Sequence, residues 1–267
     1  MKTLLMSVSF ISRLGRGVLD SLQTYIQAWS ILISAGAAFF RLSFFNRAVA
    51  HVFFREVFHT AYRSIPATVL AALIIGAIVV TYLISFLTRF GAYEFVGEFI
   101  VIINLHEIGP IVCTLIVLFK AGSRVVSDVA LMKVNKELNT LNYLNIHPDR
   151  YLLMPIVLAF AFAGPCLTMI FGMVSMLGGF LILGYLHDLT FASYIVLLSA
   201  AMDLETFFVA FFKPLLMCMA VASICIQKGM SVNHSLTEIP IRLIQGLMHV
   251  IGLMIVIELI FALGYLW

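Results

Sequence analysis

The chain has 267 residues, 63% of them hydrophobic and 11% charged, with a formal net charge of +3. Soluble domains carry about 25% charged residues. A water-solvated globule is therefore excluded, and the expected class is all-α integral membrane, a single membrane domain over residues 1–267.

Lys2 precedes a short apolar run over residues 3–11. Arg13 and Arg16 follow it and no small-x-small cleavage site is evident, so the run reads as part of the mature chain. Residues 5–27 repeat apolar side chains about every four positions (Leu5, Phe10, Leu14, Val18, Leu22, Ile26), with Arg13, Arg16 and Asp20 elsewhere on the wheel. That pattern predicts an amphipathic helix lying in the membrane interface. Trp29–Phe40 is apolar but too short to span, so 5–40 as a whole reads as interfacial or re-entrant helices.

Five longer apolar runs predict membrane spans over 66–87, 99–119, 152–185, 191–227 and 241–267. The third contains Gly164–Pro165 and is long enough to need tilt or a kink; the fourth is interrupted by Asp203, Glu205 and Lys213–Pro214. Fourteen of the sixteen lysines and arginines fall before the first span, between the second and third, or between the fourth and fifth. The positive-inside rule then predicts a cytoplasmic N-terminus and a C-terminus on the opposite side.

Residues 127–147 have helical periodicity, with Met132, Val134, Leu138, Leu141 and Leu144 apolar and Lys133, Lys136, Glu137, Asn139 and Asn142 polar. Pro148 ends the pattern. Such a helix can lie on the bilayer or dock on a cytoplasmic partner. Four asparagines and near-balanced charge favour docking, because surface helices prefer Lys and Arg.

Several residues inside the spans stand out. Glu107, flanked by His106 and followed by Gly109 and Pro110, has two readings that stay open. It is either the polar rim of a cavity, or a local pair with His106 or a helix cap. Lys213 before Pro214 has Asp203, Glu205 and Glu258 as candidate partners, and an ionisable group in a membrane normally faces a partner or cavity. His249 and Glu258 are nine residues apart on one helix, hence on opposite faces. Met169, Met173 and Met176 form a helical stripe that ordinary packing accounts for. Cys113, Cys166, Cys218 and Cys225 lie in apolar runs without a CxxC pair, so neither a disulfide framework nor a metal site is expected.

Three blocks recur in a known family. His-Glu-Ile-Gly-Pro at 106–110, Lys120-Ala-Gly-Ser123, and Met132-Lys-Val-Asn-Lys-Glu-Leu-Asn-Thr-Leu followed by Ile146-His-Pro148 resemble the MlaE/YrbE permease signature. That signature reads Arg-Glu-Leu-Gly-Pro, Gly-Arg-x-Gly-Ser, Glu-x-Gly-x-Met, and Met-Lys-Val-Thr-Glu-Gln-Ile-Asp-Ala-Leu. The match over 106–148 is the specific part, and looser similarity extends over roughly 60–260. The departures are His106 for arginine, Phe119-Lys120 for Gly-Arg, Asp128 and Ala130 for Glu and Gly, and Asn135-Lys136-Glu137 for Thr-Glu-Gln. In addition, Ser235–Leu243 replaces a glycine- and threonine-rich stretch.

The resemblance implies the permease subunit of a lipid ABC transporter in a bacterial inner membrane. It implies a homodimer, a separate cytoplasmic ATPase that binds ATP-Mg, and a periplasmic MCE-domain protein that exchanges phospholipid or a related lipid. The coupling helix in the ATPase groove would present Met132, Lys133, Asn135, Lys136, Glu137, Leu138 and Leu141. His106, Glu107, Gly109 and Pro110 would mark the lipid pathway.

The chain itself has no Walker-type phosphate loop, so it is expected to be neither an enzyme nor a cofactor holder, and nothing points to nucleic acid. A stand-alone secondary transporter should show internal repeats and paired broken helices. No convincing repeat is visible. A zinc-protease reading fails because position 110 is Pro rather than the second His of His-Glu-x-x-His. A non-transporting assembly protein remains as an alternative.

Overall fold

A computed structural model describes residues 22–36, 47–91, 95–186, 191–232 and 235–264. Every regular element among the described residues is helical, and five helical stretches are long and apolar enough to cross a membrane: Val49–Leu87, Val96–Val134, Tyr151–Leu181, Leu204–Met230 and Ile239–Gly264.

Helix α1 covers 22–36 and is a single helix where two pieces meeting near residue 28 were expected. Positions 5–21 and 37–40 of that expectation lie outside the described residues. One face of α1, with Thr24, Ala28 and Ala35, is buried. Tyr25 donates to the carbonyl of His249, Gln227 to Gln27, and Lys228 to Thr24.

Helix α2 (Arg47–Thr60) leads through a tight turn at Tyr62–Ser64 into α3 (Ile65–Arg89). The 39 residues from Val49 to Leu87 would measure about 58 Å as one rod, against a hydrocarbon core of about 30 Å. The excess is taken up by the bend. Phe53 of α2 shares a cavity with Phe162, whereas Gly76 of α3 lies against Ser175, so α2 turns across the bundle instead of prolonging α3. Its sequence explains the position. Arg47, His51 and Arg55 recur every four residues beside an exposed aromatic ridge of Phe54, Phe58 and Tyr62, which suits a helix at a water–lipid boundary.

The second span is one long helical path with two changes of pitch. It comprises α4 (Val96–Val101), a π-helical segment Ile102–Ile108, α5 (Gly109–Val117), a second π segment Leu118–Gly122, and α6 (Ser123–Val134). The stretch 127–147, expected as one helix, is divided. Its first part belongs to α6. Asn135 and Lys136 then break the rod, Lys136 taking a left-handed φ of 61°, and a short α7 (Glu137–Tyr143) follows. Helix α7 closes with Asn145 at φ 58°, the amide of Ile146 donating to the carbonyl of Leu141 and that of Asn145 to Asn142. Asparagine tolerates this left-handed position better than most residues.

Another π segment (Asp149–Leu153) opens α8 (Met154–Leu186), which continues through Pro165. The run 191–227, expected as one span, is two helices, α9 (Phe191–Ala200) and α10 (Leu204–Met230). Asp203 in extended backbone separates them. Helix α11 covers Ile239–Gly264.

The core is built from α8 and α10, each with 67% of its most apolar window buried, against 22% for the first span and 17% for α11. Small residues set the contacts. A Cβ on Gly76 would sit 2.3 Å from the Ser175 carbonyl oxygen, and one on Gly164 would sit 2.5 Å from that of Pro214. Without a hydrophobic drive inside lipid, such close backbone approach is what packs spans together.

Candidate functional site

Two charged knots lie at opposite ends of the bundle. The first is in the half away from α7. Pro110 has no amide hydrogen, so the carbonyl of His106, one turn earlier, lacks its usual helical donor. Lys213 of α10 fills the vacancy, its Nζ donating to that carbonyl at 2.7 Å. The same ammonium meets Glu107 Oε2 at 3.1 Å and Glu258 Oε2 at 2.5 Å. Lys213 is fully buried; the side chains of Glu107 and Glu258 are 41% and 19% exposed. Three spans thus meet on one ammonium. Such a charge is stable in a low-dielectric interior only because it is both hydrogen-bonded and paired. The π segment that contains His106 and Glu107 widens the helix there, a geometry frequent at functional sites.

Glu107 and Glu258 also line a groove of about 380 Å³ between the second span and α11, and its other walls, such as Ile111, Leu115, Ile251 and Ile255, are apolar. The groove suits a long apolar chain with a polar end, not a hydrated ion. Of the pairing candidates for Lys213, the structure selects Glu258 and adds Glu107. Asp203 and Glu205 lie at the exposed start of α10. Glu107 therefore faces a cavity and an ion pair at once, while its neighbour His106 is buried and supplies the carbonyl. Gly109 is held tightly, since a Cβ there would come within 2.6 Å of the Asn104 carbonyl oxygen.

A second cavity of about 420 Å³ lies on the other flank of the second span, lined by Leu105, Met169, Met173, Met176 and Met202, with Asp203 at its edge. The methionine stripe is thus a cavity wall as well as packing.

The second knot is at the α7 end. Arg124 of α6 reaches Glu56 of α2 at 2.5 Å and Asp128, one turn on, at 3.2 Å. Lys120 donates to the carbonyl of Arg63 at 3.2 Å, and Lys133 to the carbonyl of Met230 at the end of α10. Helix α6 and the π segment before it are thereby fastened to α2, to the turn before α3 and to α10. A Cβ on Gly229 would lie 2.8 Å from Val129, so α6 and α10 also touch closely.

This arrangement redistributes the predicted coupling residues. Lys133 points inward to α10, and Met132 lines a cavity with Arg55, Arg124 and Tyr151. Leu138 and Leu141 are half-buried, and Asn135, Lys136 and Glu137 are exposed. The most exposed apolar side chains beside α7 are Tyr143 at 90% and Leu144 at 65%. Tyr143 was absent from the sequence reading. Helix α2 was missed as well, although its four-residue alternation of basic and aromatic positions signalled it.

Comparison with known proteins gives a consistent answer. The family model described as Permease MlaE matches residues 53–263. A probable ABC transporter permease protein of Rickettsia typhi is 28% identical over 151 residues, covering 57% of this chain and 58% of that protein. The intermembrane phospholipid transport system permease protein MlaE of Haemophilus influenzae is 27% identical over 179 residues, covering 66% of each. A probable ABC transporter permease protein of Pyropia yezoensis is 22% identical over 215 residues, covering 79% of this chain and 81% of that protein. The chain spans little more than half the length of the Rickettsia relatives it matches.

Proposed function

Because the chain belongs to the MlaE permease family, we propose that it is the membrane-spanning subunit of an ABC transporter that moves phospholipid or a related lipid. A separate cytoplasmic ATPase holds ATP-Mg and supplies the energy. A periplasmic MCE-domain protein exchanges lipid with the permease. The membrane is the bacterial inner membrane, with the α7 end cytoplasmic, in line with the basic residues gathered there.

The observation that carries this reading is the groove between the second span and α11. Its walls are apolar and its polar groups are confined to Glu107 and Glu258 at one level, a match for acyl chains below a headgroup. Two further features support the division of labour. Helix α7 projects exposed Tyr143 and Leu144 where a soluble partner can take them. Helix α6 then links that contact to α2 and α10 through Arg124 and Lys133. Helix α11 buries least of its apolar surface, which suits closure against a second copy.

The test is purification of the tagged chain in mild detergent, with mass spectrometry of associated protein and lipid. An ABC ATPase and an MCE-domain protein should accompany the native chain, and Tyr143→Arg with Leu144→Arg should release the ATPase while the chain stays folded. A chain that comes down alone at native expression, across several detergents, contradicts the reading.

A further inference from the structure

We infer that the groove selects lipids whose headgroup bears a primary ammonium, and that Glu107 receives it. The inference rests on the lipid-permease reading and adds a substrate class to it. A buried lysine beside a lipid groove invites the opposite assignment, a cation that grips phosphate. The geometry rules against that. An ammonium has three hydrogens to give. Two of those of Lys213 go to the His106 carbonyl and Glu107, Glu258 Oε2 lies 2.5 Å away as an ion pair, and the side chain has no exposed surface through which to reach a ligand.

What faces the groove is carboxylate. Glu107 is the more exposed of the two groups, and one ammonium is shared between two carboxylates, so the knot has an acidic group in excess. Both Glu258 oxygens are buried and accept no hydrogen bond, Oε2 meeting Lys213 only as an ion pair, so Glu107 is the carboxylate the groove presents. No lysine or arginine lines the groove among the described residues. The surroundings add to the acidity. Glu205 lines the neighbouring cavity between α10 and α11 with Phe261. The position before Glu107, which is arginine in the family signature, is His106 here, and its side chain is buried. A phosphate alone would meet repulsion. An ammonium would complete the charge and form an N–H to carboxylate bond, the stronger class of hydrogen bond in a dry site.

The experiment uses the intact transporter complex in detergent, stripped of lipid and offered equimolar phosphatidylethanolamine and phosphatidylglycerol with identical acyl chains. Retained lipid is read by mass spectrometry. Glycerophosphoethanolamine, the headgroup without acyl chains, is added in a parallel arm. Selection by one charged contact should favour the ethanolamine lipid about tenfold. Glu107→Gln should abolish the preference without abolishing binding, and the free headgroup should compete weakly because the groove wall is apolar. Equal retention, or preference for the glycerol lipid, in the native complex overturns the inference while leaving the permease reading in place. An unchanged preference in Glu107→Gln removes Glu107 from the role. Retention of neither lipid, in a complex whose size-exclusion profile is normal, overturns both.

Discussion

The two knots have the same composition in charges and opposite settings. At one end Lys213 stands between Glu107 and Glu258; at the other Arg124 stands between Glu56 and Asp128. Lys213 has no exposed surface although Glu107 beside it is 41% exposed, whereas the Arg124 side chain is 26% exposed between a buried Glu56 and an Asp128 that is 55% exposed. Removing a partner from a buried pair strands a charge and costs about 3–5 kcal/mol, while exposed pairs are worth about 0–1 kcal/mol. The shared cation is therefore sealed at the groove and reached by solvent at the α7 end, which makes the first joint the more firmly fixed. That difference suits a machine in which the lipid-facing end must hold three spans together while the opposite end accepts motion.

The largest expected effect comes from Lys213→Met, which leaves two carboxylates facing each other without a cation. Stability should fall by about 3–5 kcal/mol, read as loss of the monodisperse peak after mild heating. Adding Glu107→Gln and Glu258→Gln should recover much of it. If Lys213→Met alone is as stable as the native chain, the joint is not fixed.

A smaller change is expected from Arg124→Gln, about 1–3 kcal/mol because buried Glu56 loses its partner, with its main effect on coupling. ATP-driven lipid transfer should drop several-fold while ATPase binding persists. Exchanging the charges, Glu56→Arg with Arg124→Glu, should restore part of the transfer. A swap that rescues nothing would reduce the contact to surface decoration.

The smallest effect belongs to Lys136→Gly. Lys136 holds a left-handed φ of 61° between α6 and α7, and a non-glycine residue there costs about 1–2 kcal/mol. Glycine should leave stability unchanged or slightly raised, because its greater unfolded-state freedom offsets much of the relief. A clear loss of stability would mean that the Lys136 side chain has a contact of its own.

Much of this was legible in the sequence. Five apolar runs long enough to span lipid are a strong signal, and α3, α8 and α11 correspond to runs marked by nothing more. The break at Met202–Asp203 was obscured because apolar sequence resumes on both sides and the run remained plausible as a single tilted span. The division of 127–147 was hidden for another reason. Helical periodicity in Met132, Leu138 and Leu141 survives a left-handed residue between them, and only Asn135–Lys136 hinted at the turn. The partners of Lys213 were half legible. Glu258 was a candidate, but Glu107 is 106 positions away, and the role of Pro110 in freeing the His106 carbonyl depends on which helices touch. The contact of Arg124 with Glu56 is likewise a product of packing across 68 positions, beyond any local pattern.

If the groove lined by Glu107 and Glu258 is the lipid's path, filling it must stop transfer. The most direct test is ATP-dependent transfer of labelled phospholipid by the reconstituted complex, comparing Ile255→Trp, which fills the groove, with Ile78→Trp on the exposed face of α3. The expected result is loss of transfer for Ile255→Trp and near-native transfer for Ile78→Trp. Native transfer with the groove filled, or no ATP-dependent transfer by the unmodified complex, would contradict it.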